Sequence, residues 1–218
     1  MIMSYIIYHP KRKVSKIDES NIYHDCFEYN QDPYIWNKQF LHSFCHITQI
    51  KAEINNVIFW VSGDTYPDFS KLYCDCVFVI ENKIYWSNAN SIKETDQIVD
   101  NKQTFEHHYK WVNPPHNQHI FKNRKRYTLK ADKDLSFQPQ DKDKCLIDII
   151  PFLNNQGISL DNLRNSISKT KNGKQSLNSR PFKLTKEITD NLYQYLFENA
   201  TIKIKGKMIE NKHPIKTE

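Results

Sequence analysis

Glycine is scarce in this chain: Gly63, Gly157, Gly173 and Gly206 are the only four in 218 residues. No two are close enough for G-x-G-x-x-G or G-x-x-x-x-G-K, so the usual dinucleotide fingerprint and the P-loop are excluded, since both need glycine backbone close to phosphate. A G-x-S-x-G elbow and an H-E-x-x-H helix are also missing. No stretch approaches the roughly 18 apolar residues of a membrane span. The apolar start, Met1 to Tyr8, is followed by His-Pro-Lys-Arg-Lys. A secretory signal has the reverse order and a longer apolar run. The expectation is a cytoplasmic protein with no membrane partner, and residues 3–8 read as a first strand.

Cysteine is neither abundant nor even in number. Cys26, Cys45, Cys74, Cys76 and Cys145 do not suggest a disulfide framework. Cys74 and Cys76 are two apart, which on a regular strand puts both on one face. They read either as half of a zinc site completed by His107, His108, His116 or His119, or as two small buried hydrophobes. Arginine is rarer than the charge suggests. The formal net charge is +6, yet only five of the 31 basic residues are arginines. Abundant Lys, Asn and Ile match an AT-rich coding bias, so the arginines are the informative cations. Two of them, Arg124 and Arg126, stand together.

Hydrophobic residues make up 39% of the chain and charged residues 26%, sufficient for a buried core. The pattern predicts an α+β fold: a mixed or antiparallel sheet with flanking helices and a mainly helical C-terminal part. The division falls into residues 1–144 and 145–218, with one continuous domain as the alternative. Residues 9–20 read as a polar, basic connection. Tyr34, Ile35, Trp36, Phe40, Leu41, Phe44 and Ile47 recur at three- and four-residue spacing, which predicts a helix over 33–49 capped by Asp32. Strands are expected at 55–61 and 72–80. In the second, Leu72, Cys74, Cys76, Phe78 and Ile80 share one face, and Asn82-Lys83 reads as a hairpin loop into Ile84. A helix is possible around 92–99, and 104–121 reads as a structured loop because Pro114-Pro115 interrupts it. Strand character returns at 122–130, followed by an extended Ser136–Gln140 and a charged turn at 141–144. Beyond residue 145 come a short helix with Pro151 in its first turn, a break at Gly157, a helix capped by Ser159 and a helix capped by Thr185. The last carries the stripe Ile188, Leu192, Tyr195, Leu196. A short strand at Ile202 closes the order.

Four constellations can carry chemistry. The first is the strand at 122–130. Alternation puts Arg124, Arg126 and Thr128 on one face and Tyr127 and Leu129 on the other, toward the core. Two guanidinium forks about 7 Å apart can each grip a phosphate or carboxylate. Lys122 and Lys130 widen the patch, and Tyr109 and Trp111 upstream can stack on bases. The competing reading pairs the arginines with Asp132, Asp134 or a neighbouring strand. The second is Asp64, Asp68 and Asp75, which together can hold Mg²⁺ for phosphoryl chemistry. They equally suit two turn residues beside Gly63 and Pro67 and one ion-paired strand residue. The third is His107, His108, His116 and His119, which can supply a general base oriented by Glu106 or Asp100. The fourth is a helix-turn-helix over 146–167, with Asn162, Arg164 and Asn165 as base readers, or else a helical cover on the sheet.

Pro67-Asp68 followed by Glu81-Asn82-Lys83 resembles the P-D…(D/E)-x-K pattern of the restriction-endonuclease-like nucleases over about seventeen residues. The resemblance implies that Asp68 and Glu81 hold Mg²⁺ and that Lys83 assists water attack. That family carries E-x-K within a core strand, whereas here the segment reads as a hairpin tip.

Three functional readings therefore stand. One is a protein binding nucleic acid or a nucleotide-like anion on the Arg124/Arg126 face, accessory to nucleic-acid processing or modification. Another is a metal-dependent nuclease or phosphoryl-transfer enzyme using Asp64, Asp68 or Asp75. The third is a metal-free enzyme on a small anion, with a histidine base and an arginine clamp. The sequence specifies no cofactor; Mg²⁺ belongs only to the second reading.

Overall fold

The computed structural model describes residues 4–8, 13–17, 19–24, 34–37, 40–43, 53–65, 68–85, 127–167 and 181–205. Within them the chain is α+β. Its main sheet has seven strands in the order β10-β1-β6-β7-β8-β5-β4. In chain order the strands of this sheet are β1 (Ser4–Tyr8), β4 (Tyr34–Asn37), β5 (Phe40–Ser43), β6 (Val57–Gly63), β7 (Leu72–Tyr85), β8 (Tyr127–Ala131) and β10 (Phe182–Leu184). The sheet is mixed: β1 and β6 run parallel, and every other neighbouring pair is antiparallel. Two further ribbons stand apart from it. One pairs β2 (Lys13–Ile17) with β3 (Ser20–His24); the other pairs β9 (Gln138–Gln140) with β11 (Ile202–Ile204). The described helices are α1 (Ile150–Asn155), α2 (Leu160–Ile167) and α3 (Lys186–Asn199).

The central strands are apolar at both parities because both faces of the sheet are covered. On one face Ile6, Phe59, Val61, Phe69, Leu72, Cys74, Val77 and Val79 pack with Leu153, Leu163, Leu192 and Leu196 of the three helices. On the other, Tyr5, Ile7, Ile58, Trp60, Cys76, Phe78, Ile80, Leu129 and Ala131 pack with Ile22 of β3 and Ile204 of β11. Residues from both sides of position 145 enter each cluster. After residue 145 the chain contributes the three described helices together with an edge strand of the main sheet (β10, on β1) and the partner of β9.

The helix signals in the C-terminal part act as expected. Thr185 caps α3, its side chain accepting from the Ile188 amide at 3.2 Å. Ser159 accepts from the Asn162 amide at the start of α2. Pro151 sits in the first turn of α1. That helix ends where Gly157 takes φ +74°, and Gly157 and Ile158 donate back to Asn154 and Leu153 in a Schellman arrangement.

Three sequence expectations are corrected. The segment predicted as a helix over 33–49 contains the paired strands β4 and β5 instead, with Asn37 opposite Phe40; residues 33, 38, 39 and 44–49 lie outside the described residues. Its apolar spacing suits two short strands as well as one helix, and β8 provides an edge on which β5 pairs. The connection at 9–20 contains β2 and leads into β3. The expected hairpin loop at Asn82-Lys83 is interior to β7, which runs on to Tyr85 alongside β8.

β7 also departs from strict alternation. Trp60 opposes Cys76 while Val61 opposes Cys74, so Asp75 is an extra residue, a β-bulge. The bulge swaps the faces. Leu72 and Cys74 point to the helices, whereas Cys76, Phe78 and Ile80 point to the ribbons. Below residue 80, β7 leaves β8 and pairs with the chain that follows it. Val77 and Phe137 exchange two backbone hydrogen bonds of 2.8 and 3.0 Å, Cys74 donates to the Ile147 carbonyl, and Ile149 donates to the Leu72 carbonyl. Truncating the fully buried Leu192 to Ala is expected to lower unfolding free energy by about 3 kcal/mol. Thr185→Ala should cost about 1 kcal/mol through the lost cap. Urea unfolding followed by circular dichroism reads both.

Candidate functional site

Two places bring together the polar residues singled out by the sequence: the β6–β7 loop and the bulge of β7. The loop begins at the C-terminal end of β6, beside the end of the parallel strand β1, an edge of the sheet where side chains are commonly put to use. Gly63 makes the close approach possible. A Cβ there would fall 2.6 Å from the Cβ of Phe69, which is fully buried and stacks on Tyr8 with centroids 5.6 Å apart.

Asp64 follows directly and organises the loop. Its carboxylate accepts from the Ser70 hydroxyl (2.6 Å), the Ser70 amide (2.8 Å) and the Lys71 amide (3.0 Å). The Ser70 hydroxyl first, then these amides and that of Thr65, hold the Asp64 carboxyl well below the usual carboxylate range, against the opposing effect of burial. Asp68 is exposed, and its carbonyl accepts from the Thr65 hydroxyl at 3.3 Å.

One of the candidate base readers completes this loop. Arg164 of α2 donates from Nε (3.1 Å) and Nη2 (2.7 Å) to the Phe69 carbonyl, and from Nη2 to the Asp68 carbonyl (3.4 Å). Its guanidinium lies 5.8 Å from the centroid of the Phe69 ring. These contacts join α2 to the loop and favour the helical-cover reading over a DNA-reading helix. The sequence signal was the rarity of arginine, with Asp161 one turn earlier, 3.7 Å away.

Asp75 lies elsewhere, buried at 3% exposure inside the bulge. Its carbonyl accepts from Nε2 of Gln138 at 2.7 Å. Burial pushes the thiols of Cys74 and Cys76 well up, with the Asp75 charge adding to it. The two thiols enter opposite faces of the sheet, so they cannot act as adjacent ligands from one face. Among the described residues no three His, Cys, Asp or Glu side chains gather where a metal ion could be held. Asp68 precedes β7 and Glu81 lies near its far end. Nine steps from Leu72 to Glu81 span about 30 Å, against metal–oxygen bonds of about 2 Å. The E-x-K segment does lie within a strand, but one ion cannot bridge Asp68 and Glu81.

The basic strand is described only at its end. Thr128 and Lys130 belong to β8, an interior strand, where Thr128 opposes Ile84 and Lys130 opposes Asn82 and His42. Leu129 and Ala131 are fully buried. Lys122, Arg124 and Arg126 lie outside the described residues, as do Tyr109, Trp111, His107, His108, His116 and His119.

Sequence reasoning missed Gln138 and Gln140, both fully buried. The Gln138 side chain accepts from the Tyr23 amide (3.0 Å) and donates to the Tyr23 carbonyl (2.7 Å), as a neighbouring strand would. Gln140 Nε2 donates to the Asn21 carbonyl (2.6 Å) and to Gln138 Oε1 (2.8 Å). The available signal was the Gln-Pro-Gln spacing after Phe137, which repeats a polar side chain at one parity.

Comparison with known proteins finds no matching family model, no similar curated protein and no similar solved structure. Any function is therefore argued from the residues themselves.

The depressed pKa of Asp64 has a defined sign. The stability it adds is complete above the unfolded carboxylate value of about 3.9 and is lost as pH falls from there toward the folded value. Wild type is expected to exceed Asp64→Ala in stability at pH 6. The gap should shrink steadily below about pH 4 in urea titrations across that range.

Proposed function

We propose that this protein binds nucleic acid, or a nucleotide-like anion, through the basic segment that leads into β8, as an accessory to nucleic-acid processing or modification. The observation carrying the proposal is the placement of the scarce guanidinium groups. Two of five arginines, Arg124 and Arg126, are separated by one residue and flanked by Lys122 and Lys130 in a chain of net charge +6. Guanidinium forks present two donors to a phosphate, which lysine does not. At strand spacing the pair would meet successive phosphates of one backbone, with Thr128 adding a hydroxyl donor. The burial of Leu129 and Ala131 supports this reading of parity, because both lie at odd positions of β8. Tyr109 and Trp111 would supply stacking surface for unpaired bases.

The carboxylate-based enzyme reading gains no comparable support. Asp64 organises its own loop, Asp75 is buried in a bulge, and Asp68 is separated from Glu81 by the run of β7 from Leu72 to Glu81.

Fluorescence anisotropy with labelled single-stranded and duplex oligonucleotides tests the proposal. Wild-type affinity should fall linearly in log–log form with salt. The double variant Arg124→Ala/Arg126→Ala should reduce that slope by about 1.4 on single strands and about 1.8 on duplex. Salt-independent binding, or a double variant that binds like wild type, would overturn it.

A further inference from the structure

The β2–β3 hairpin is attached to the rest of the molecule in an unusual way. It forms its own two-stranded sheet, with no backbone ladder to either of the others. The hydrogen bonds described between the hairpin and the body each involve a side chain. Gln138 brackets the Tyr23 backbone, Gln140 donates to Asn21, the Tyr23 hydroxyl donates to the Lys144 carbonyl (3.0 Å), and Lys144 Nζ donates to the Glu19 carbonyl (2.6 Å). Among the described side chains of the hairpin, apolar anchoring is also thin. Ile22 is fully buried, while Val14 on the outer strand is 52% exposed. Gln140 Oε1, beside this seam, is buried with no hydrogen-bond partner among the described residues. A buried acceptor without a donor penalises the closed state, and water relieves it on opening.

We propose that the β2–β3 hairpin is a latched flap: it opens as a unit, with the sheet and helices intact, when the amide latch of Gln138 and Gln140 releases Asn21 and Tyr23. Local opening below the free energy of global unfolding is expected where few buried apolar contacts and no backbone ladder hold an element to the body. Opening uncovers the sheet face that Ile22 shares with Cys76 and leaves the helix-covered face, with Cys74, closed.

The bulge thus provides one thiol reporter on each side of the same strand. The test is alkylation of the native full-length protein by N-ethylmaleimide, with Cys74 and Cys76, which share one peptide, distinguished by their fragment ions in tandem mass spectrometry. In wild type Cys76 should be modified faster than Cys74. Gln138→Leu removes both hydrogen bonds to Tyr23 and should accelerate Cys76 about tenfold, leaving Cys74 within about twofold. Tyr23→Phe removes the hydroxyl that donates to the Lys144 carbonyl, keeps the backbone hydrogen bonds to Gln138, and should accelerate Cys76 by about threefold. That variant decides the matter alone if Gln138→Leu does not fold. Equal rates at the two cysteines in wild type, or a Tyr23→Phe effect that is absent or equal at both, would overturn the proposal.

Discussion

β7 is hydrogen-bonded on both edges and covered on both faces, and the extra residue at Asp75 determines which side chains between Leu72 and Ile80 meet which layer. Without the bulge at Asp75, Leu72 and Cys74 would share a face with Cys76, Phe78 and Ile80. A register slip of one residue reverses every side chain beyond it. Here the slip serves both layers. The first part of the strand offers its large residues to the helices, and the later part offers them to the ribbons. The same bulge directs the Asp75 carbonyl to Gln138, so the change of face coincides with the polar seam under the hairpin.

Short polar side chains do much of the work that a longer backbone ladder would otherwise do. Gln138 imitates one residue of a strand edge by both accepting from and donating to Tyr23. Asp148 accepts from the amides of Leu72 and Ile150, joining the start of β7 to the start of α1. Asp141 accepts from Asp143 and Cys145 in the turn before α1, and Asp64 does the same for the β6–β7 loop. Asp64, a candidate for holding Mg²⁺ in the sequence, thus belongs with Asp141 and Asp148 as a carboxylate engaged by nearby amides.

Some of this was legible and some was not. Thr185, Ser159, Pro151 and Gly157 marked the helix ends because caps and special φ values are local requirements of a few residues. The hairpin at 13–24 left no alternating apolar signal, since little beyond Ile22 is seen to enter the core. The β4–β5 segment satisfied helical and strand spacing equally. The bulge was invisible because residues 76–80 are apolar at both parities, so a slip puts no polar side chain in the wrong place. The Arg124/Arg126 pair could be found because arginine is rare in this chain. Arg164 was equally rare, but its partner is a backbone carbonyl, which has no sequence signature.

The amino-acid sequence by itself determined the α+β character, the central strands β1, β6 and the core of β7, and the C-terminal helices with their caps. Each rests on residues close together in the chain, through periodicity, hydrogen bonding within one turn or allowed φ. Tertiary structure alone decided the parallel pairing of β1 with β6, the strands rather than a helix at 34–37 and 40–43, the opposite faces of Cys74 and Cys76, and the partners of Gln138 and Arg164. Those outcomes depend on which edges and carbonyls lie free at long sequence separation, and that information exists only once the sheet has assembled.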